Sequence, residues 1–155
     1  MPSILVVEND PAELLAVKRA FSEAGVANPV HTARSNREAR QYLAGEYPYS
    51  NRMNCPIPSV ILLNVAERGG FELLKWIRNR FPGGGLLLVV LTPLEKIRKL
   101  SRAYAMGANS FLTKPVKASE LRELINIFAG YWLVPRFGVL REENLTRFET
   151  VTYDS

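Results

Sequence analysis

Cysteine and histidine are almost missing from these 155 residues, with one of each, Cys55 and His31. A lone thiol closes no internal disulfide, and Cys55, in the Pro-flanked loop NCPIP, has no second cysteine with which to share a metal. Disulfide scaffolds and thiolate metal centres are therefore set aside. His31 lies in the short apolar run PVHTA, which reads as a strand, so it is expected as a packed or rim histidine and not as a ligand or phosphate carrier. Also absent are a basic-then-apolar leader at Met1 and any apolar run of about 18 residues. The expectation is a cytoplasmic chain with no membrane partner. No internal repeat or low-complexity tract occurs.

What is present suits one compact domain: 47% hydrophobic residues supply a core, and 23% charged residues are too few for a disordered chain. The formal charge of +5 favours nucleic acid, anionic membrane or acidic partners through non-specific attraction. Charge alone names none of them.

Three apolar runs, SILVVE, SVILLNV and GLLLVVLT, have the length and content of buried strands. PVHTA and NSFLT complete a set of five. Helical segments alternate with them. In the first, Asp10 is the N-cap, Pro11 the first helical residue and Glu13 the N3 residue, with the end at Gly25. Ser35 and Glu38 repeat the pattern for a second helix ending at Gly45, and Leu73, Leu74, Ile77 and Phe81 form the apolar stripe of a third. A fourth helix over LEKIRKLSRAYAMG sets Ile97, Leu100 and Tyr104 against Lys96, Arg98, Lys99 and Arg102. A fifth carries Leu121, Leu124, Ile125, Phe128 and Trp132. The alternation predicts a (βα)5 architecture, a five-stranded parallel sheet with right-handed crossovers and helices on both faces.

The segment GEYPYSNRMNCPIP is expected as a long surface loop. The glycines at 83–85 precede a strand instead of opening a helix, which is the wrong context for a phosphate-binding loop. Residues 1–133 are taken as the domain and 134–155 as a C-terminal extension. Pro135 stops the last helix, and Leu133, Val134, Phe137, Val139 and Leu140 are expected to dock.

Open parallel sheets gather their chemistry at the carboxyl ends of the strands. Here those ends carry Glu8-Asn9-Asp10, Asn64, Thr92 and Lys114 followed by Pro115. ILVVEND, ILLN with GGFELL, VVLT and GANSFLTKP occur in that order, and over residues 3 to about 132 the chain resembles the receiver domains of two-component response regulators, a flavodoxin-like fold. The longer loop before the third strand and the ending FAGYWLVP resemble the single-domain regulators that partner bacterial phytochromes.

In that family, acids after the first strand hold Mg²⁺, an Asp ending the third strand takes a phosphoryl group from a histidine kinase, and a Thr and a Lys contact it. The resemblance therefore assigns Thr92, Lys114 and Glu8 to their usual places, with a cis peptide before Pro115 and Phe111 as the switch aromatic. Two positions depart. Asn64 stands where the nucleophilic carboxylate belongs, and a carboxamide has no anionic oxygen for attack on phosphorus. Asn9 stands where a metal-ligating acid belongs, while Asp10 caps the helix and points away. The loop NVAERGG is also about two residues short and lacks the family's Pro, so the main-chain ligand that maps near Ala66 is in doubt. Weak or absent Mg²⁺ binding is expected, with no cofactor. Lys114 is free to pair with Glu8 instead, and Thr92 to satisfy main-chain groups at its strand end.

The resemblance and its departures imply a degenerate receiver: a protein-interaction module, not an enzyme, in a phosphorelay-type pathway. Its partner would be a sensor histidine kinase or phytochrome-type sensor. Lys96, Lys99, Arg102, Tyr131 and Trp132 would supply the docking face, which is also the seat of a homodimer. Two alternatives stand beside it: a nucleic-acid-binding protein using the basic arc of helix four with Arg136, Arg141 and Arg147, and an atypical receiver that still binds Mg²⁺ or phosphate.

Overall fold

A computed structural model describes residues 1–66, 68–82 and 85–133. The order of elements is β1 (Ile4–Val7), α1 (Pro11–Glu23), β2 (Val30–Ala33), α2 (Asn36–Ala44), β3 (Val60–Asn64), α3 (Gly70–Arg80), β4 (Leu87–Pro93), a 3-10 helix (Leu94–Lys99), α4 (Leu100–Ala105), β5 (Ser110–Lys114), α5 (Ala118–Ile127) and α6 (Ala129–Leu133). The five strands form one sheet in the order β2-β1-β3-β4-β5, and every pairing is parallel.

The three central strands are apolar up to their carboxyl ends because both of their faces are covered. Alternate residues divide between two cores. Ile4, Val6, Val60, Leu62, Leu87 and Val89 pack beneath Val17 and Phe21 of α1 and Leu121 and Leu124 of α5. Leu5, Val7, Ile61, Leu63, Leu88 and Val90 pack beneath Tyr42 and Leu43 of α2 and Leu73, Leu74 and Ile77 of α3. Each fully buried Leu or Ile side chain contributes about 1.5–3 kcal/mol, so the sheet is the rigid frame on which the strand ends sit.

Local signals set the helix starts. The Asp10 carboxylate accepts from the Ala12 amide at 2.9 Å, and the Ser35 hydroxyl accepts from the Glu38 amide at 3.0 Å. Neither cap closes the reciprocal arm of a capping box. The Asp10 amide donates to Glu8 Oε2 at 3.2 Å, not to Glu13, and Glu38 Oε1 accepts from Arg34 instead of Ser35. Gly45 closes α2 at φ 72°, a conformation that disfavours a Cβ.

Two helices differ from expectation. The segment expected as one amphipathic fourth helix is a 3-10 helix followed by a six-residue α4, with a kink at Lys96 (φ −109°, ψ 17°). Of its apolar arc only Leu100 packs, half-buried, against the core, while Ile97 and Tyr104, and Leu94 before them, are exposed. The fifth helix ends at Ile127 because Phe128 leaves helical geometry, and Trp132 belongs to the short α6 that follows. Pro135, Val134, Phe137, Val139, Leu140, Arg136, Arg141 and Arg147 lie outside the described residues. No helix of the described chain is long and apolar enough to cross a membrane.

Candidate functional site at the carboxyl edge of the sheet

Glu8 is the first residue past β1, and its amide still donates to the Ala33 carbonyl of β2 at 3.0 Å. That bond turns the side chain into the sheet edge, where it is 1% exposed. A buried carboxylate is costly unless it is paired and hydrogen-bonded. Glu8 has both: the Lys114 ammonium stands 2.8 Å from Oε1, as an ion pair and not a directed hydrogen bond, and Oε2 accepts from Asn64 Nδ2 at 3.0 Å and from the Asp10 amide.

Asn64, the last residue of β3, is buried and uses both ends of its amide. Nδ2 faces Glu8, and Oδ1 accepts from the Ala66 amide at 3.0 Å, which folds the start of the next loop back over the strand end. Glu8, an acceptor on this side, fixes the orientation of the carboxamide. An Asp here would set oxygen against oxygen.

Lys114 ends β5 and precedes the cis bond to Pro115. Its ammonium also lies 3.3 Å from Glu13 Oε2, so one cation serves two carboxylates from different ends of the Glu8–Glu13 segment. Glu13 was legible only as a helix-start acid. Its role follows from α1 crossing beneath the end of β5, a contact that no local pattern encodes. These are the two ion pairs among the described residues.

Thr92 at the end of β4 is buried, and its hydroxyl donates to the adjoining Pro93 carbonyl at 3.3 Å, the main-chain contact expected of it. Asn9 is exposed and lines a cleft of about 220 Å³ with Glu8, Leu14, Lys18 and Arg34. Asp10 is exposed and occupied in capping α1. Ala66 is exposed, Asn36 Nδ2 braces the Arg68 carbonyl further along the loop at 3.0 Å, and Gly69 leads into α3 at φ 84°. Chemically, the edge is an internally hydrogen-bonded cluster in which one ammonium is shared by two carboxylates.

Phe111 is half-buried on β5 and packs against the core beneath α2 and α3. Lys96, Lys99 and Arg102 are exposed, with the Arg102 guanidinium 4.3 Å above the Phe71 ring. Trp132, expected on the docking face, is not there. It is 3% exposed and meets the Phe21 ring edge-on at 6.4 Å, while Tyr131 is half-buried. His31 is half-buried against Tyr42, with ring centroids 5.8 Å apart, and burial holds its pKa below the usual imidazole value. Cys55 is a half-buried free thiol.

A doubly wound parallel sheet with its polar cluster at the carboxyl edge and a cis-proline after β5 is the architecture of a response-regulator receiver. The family profile of the response regulator receiver domain matches residues 4–126, and the chain belongs to that family. Among curated proteins, the probable methanogenesis regulatory protein FilR2 of Methanothrix harundinacea is 28% identical over 130 residues, 84% of this chain and 83% of its own length. Among solved structures, the bacteriophytochrome response regulator AtBRR is 28% identical, with a TM-score of 0.72 over 92% of this chain and 98% of its own. The phosphorylated cyanobacterial phytochrome response regulator RcpA is 26% identical, with a TM-score of 0.67 over 85% and 94%.

Proposed function

We propose that this receiver signals without phosphotransfer, as a degenerate response regulator whose output is protein binding and not catalysis. The observation that carries the reading is Asn64: at the strand end where the family resemblance puts the phospho-accepting carboxylate, the chain has a carboxamide bonded at both ends. Three further features support it. Glu8 is paired with Lys114, Asn9 is exposed, and the Asp10 carboxylate is used in helix capping. A divalent cation would have to displace an ammonium already 2.8 Å from the buried acid, so these residues do not fit Mg²⁺. Phe111 is then a fixed packing residue instead of a switch.

The partner in this reading is a protein, a sensor histidine kinase or phytochrome-type sensor, in keeping with the phytochrome regulators among the similar structures. A cytoplasmic setting goes with it. Residues 1–133 are the receiver unit in this reading, followed by a C-terminal extension over 134–155.

A homodimer would use the face of the 3-10 helix, β5 and α5. There Leu94, Ile97, Phe111, Leu124 and Ile127 line a groove of about 470 Å³ with Glu120 and Glu123 on one rim. Exposed Lys96 and Lys99 stand in the 3-10 helix, so a second copy turned by a twofold axis meets opposite charge. A strict monomer at high concentration in analytical ultracentrifugation removes the dimer.

Intact mass after incubation with Mg²⁺ and acetyl phosphate tests the central reading. The parent is expected to stay unmodified. A phosphoryl adduct on the parent overturns the proposal. Labelling of Asn64→Asp alone means that only the nucleophile was lost, and no labelling of either means that the metal site has decayed as well.

A further inference from the structure

On the other side of the molecule from α1 and α5, the facing sides of α2 and α3 leave a groove of about 650 Å³ lined by Arg37, Arg40, Gln41, Ala44, Glu46 and Trp76. Trp76 is half-buried, rooted in the core beneath α2 and α3. The Arg40 guanidinium carbon lies 5.3 Å from its ring centroid and that of Arg80 lies 5.9 Å away. Arg37, Arg40 and Arg80 are exposed, and among the described residues none of the three has an ion-pair partner.

On a helix surface an acid three or four residues from an arginine would pair with it and stabilise the helix. Here the positions four along from Arg37 and Arg40 are Gln41 and Ala44, and the position four before Arg80 is Trp76. Arg37 and Arg40 are moreover a like-charge pair three apart, which costs α2 a few tenths of a kcal/mol. Arg40 and Arg80 over the indole, Arg80 just beyond the lining, and Arg37 in the lining, with Glu46 its sole carboxylate, leave the groove short of negative charge.

A guanidinium lying on an aromatic face keeps its N–H edge free and its plane fixed, the arrangement that takes a carboxylate through two parallel hydrogen bonds. We propose that the α2–α3 groove is a docking site for an acidic segment of a partner protein, with Arg40 and Arg80 as carboxylate clamps on a Trp76 platform and Arg37 as a further contact. Single-stranded nucleic acid is the poorer occupant, because bases need an open aromatic face and the chain's own guanidiniums already stand at this one. The proposal is independent of the fate of Asn64.

The test is fluorescence anisotropy of the full chain with a labelled peptide of about ten residues rich in Asp and Glu. Its Asn/Gln counterpart and a single-stranded oligonucleotide of equal charge serve as comparisons, at about 150 mM salt. The acidic peptide should bind at least about tenfold more tightly than the neutral one, and Arg40→Glu with Arg80→Glu should remove about tenfold or more. Lys96→Glu with Lys99→Glu, equal in charge change but in the 3-10 helix, should stay within about twofold. Unchanged melting curves keep the variants comparable, and Arg40→Gln with Arg80→Gln repeats the test with a milder change. No binding at millimolar peptide, equal loss in the Lys96 and Lys99 variant, or tighter binding of the oligonucleotide each overturns the proposal.

Discussion

Replacing Lys114 by Met isolates the contact that holds the carboxyl edge together. The substitution keeps most of the aliphatic stem and deletes the one cation within reach of a carboxylate that is 1% exposed. Removing one member of a buried pair costs about 3–5 kcal/mol. Lys114 keeps 12% of its side chain exposed, and Glu8 retains the Asn64 and Asp10 donors, which places the expected loss at the low end, about 3 kcal/mol. With a urea m-value of about 2 kcal/mol/M, the unfolding midpoint falls by about 1.5 M. Glu8→Gln combined with Lys114→Met removes the stranded charge and should recover at least about 1 kcal/mol of that loss. If Lys114→Met lies within about 0.5 kcal/mol of the parent, or the double variant is no better than the single, the pair is a surface contact and the account of the edge fails.

Gly70→Ala should destabilise by about 2 kcal/mol in the same titration, because the new Cβ would lie 2.6 Å from the Val65 Cα, which is backbone and cannot step aside. That outweighs the ~1 kcal/mol by which Ala ordinarily favours a helix over Gly; a neutral or stabilising result refutes the packing. Burial holds the His31 pKa below its unfolded value, so the unfolded chain binds the extra proton and stability falls as pH drops through about 6.5 and below. His31→Phe should flatten the urea midpoint across that window, and an unchanged slope counts against it. Glu38 is depressed chiefly by the Tyr49 hydroxyl, 2.6 Å from Oε2, so its contribution is present above the ordinary carboxylate range and lost as pH falls through and below it. Tyr49→Phe should cost ~1 kcal/mol at pH 7 and less at pH 3, with the pH dependence as the readout.

The amino-acid sequence alone determined the alternation of strands and helices, the caps at Asp10 and Ser35, the turns at Gly25 and Gly45, and the convergence of Glu8, Asn64, Thr92 and Lys114 on one edge. These follow from periodicity, from backbone conformations that few residues tolerate, and from parallel topology, which sends every strand end to the same rim. The sequence also carried the family resemblance, because the receiver motifs are short and occur in a fixed order.

Only the tertiary structure decided the rest. Glu13 became a second partner of Lys114 because α1 packs across the end of β5. Trp132 meets Phe21 from the short α6 and not from a continued α5, because Phe128 leaves helical geometry. Leu94, Ile97 and Tyr104 stayed exposed because the chain around Lys96 did not form the continuous helix that would have aimed them at the core. Arg40 and Arg80 met over Trp76 although they belong to different helices. In each case the deciding contact joins residues far apart in the chain, or a helix ends where its local pattern would have continued, and local propensity is silent on both.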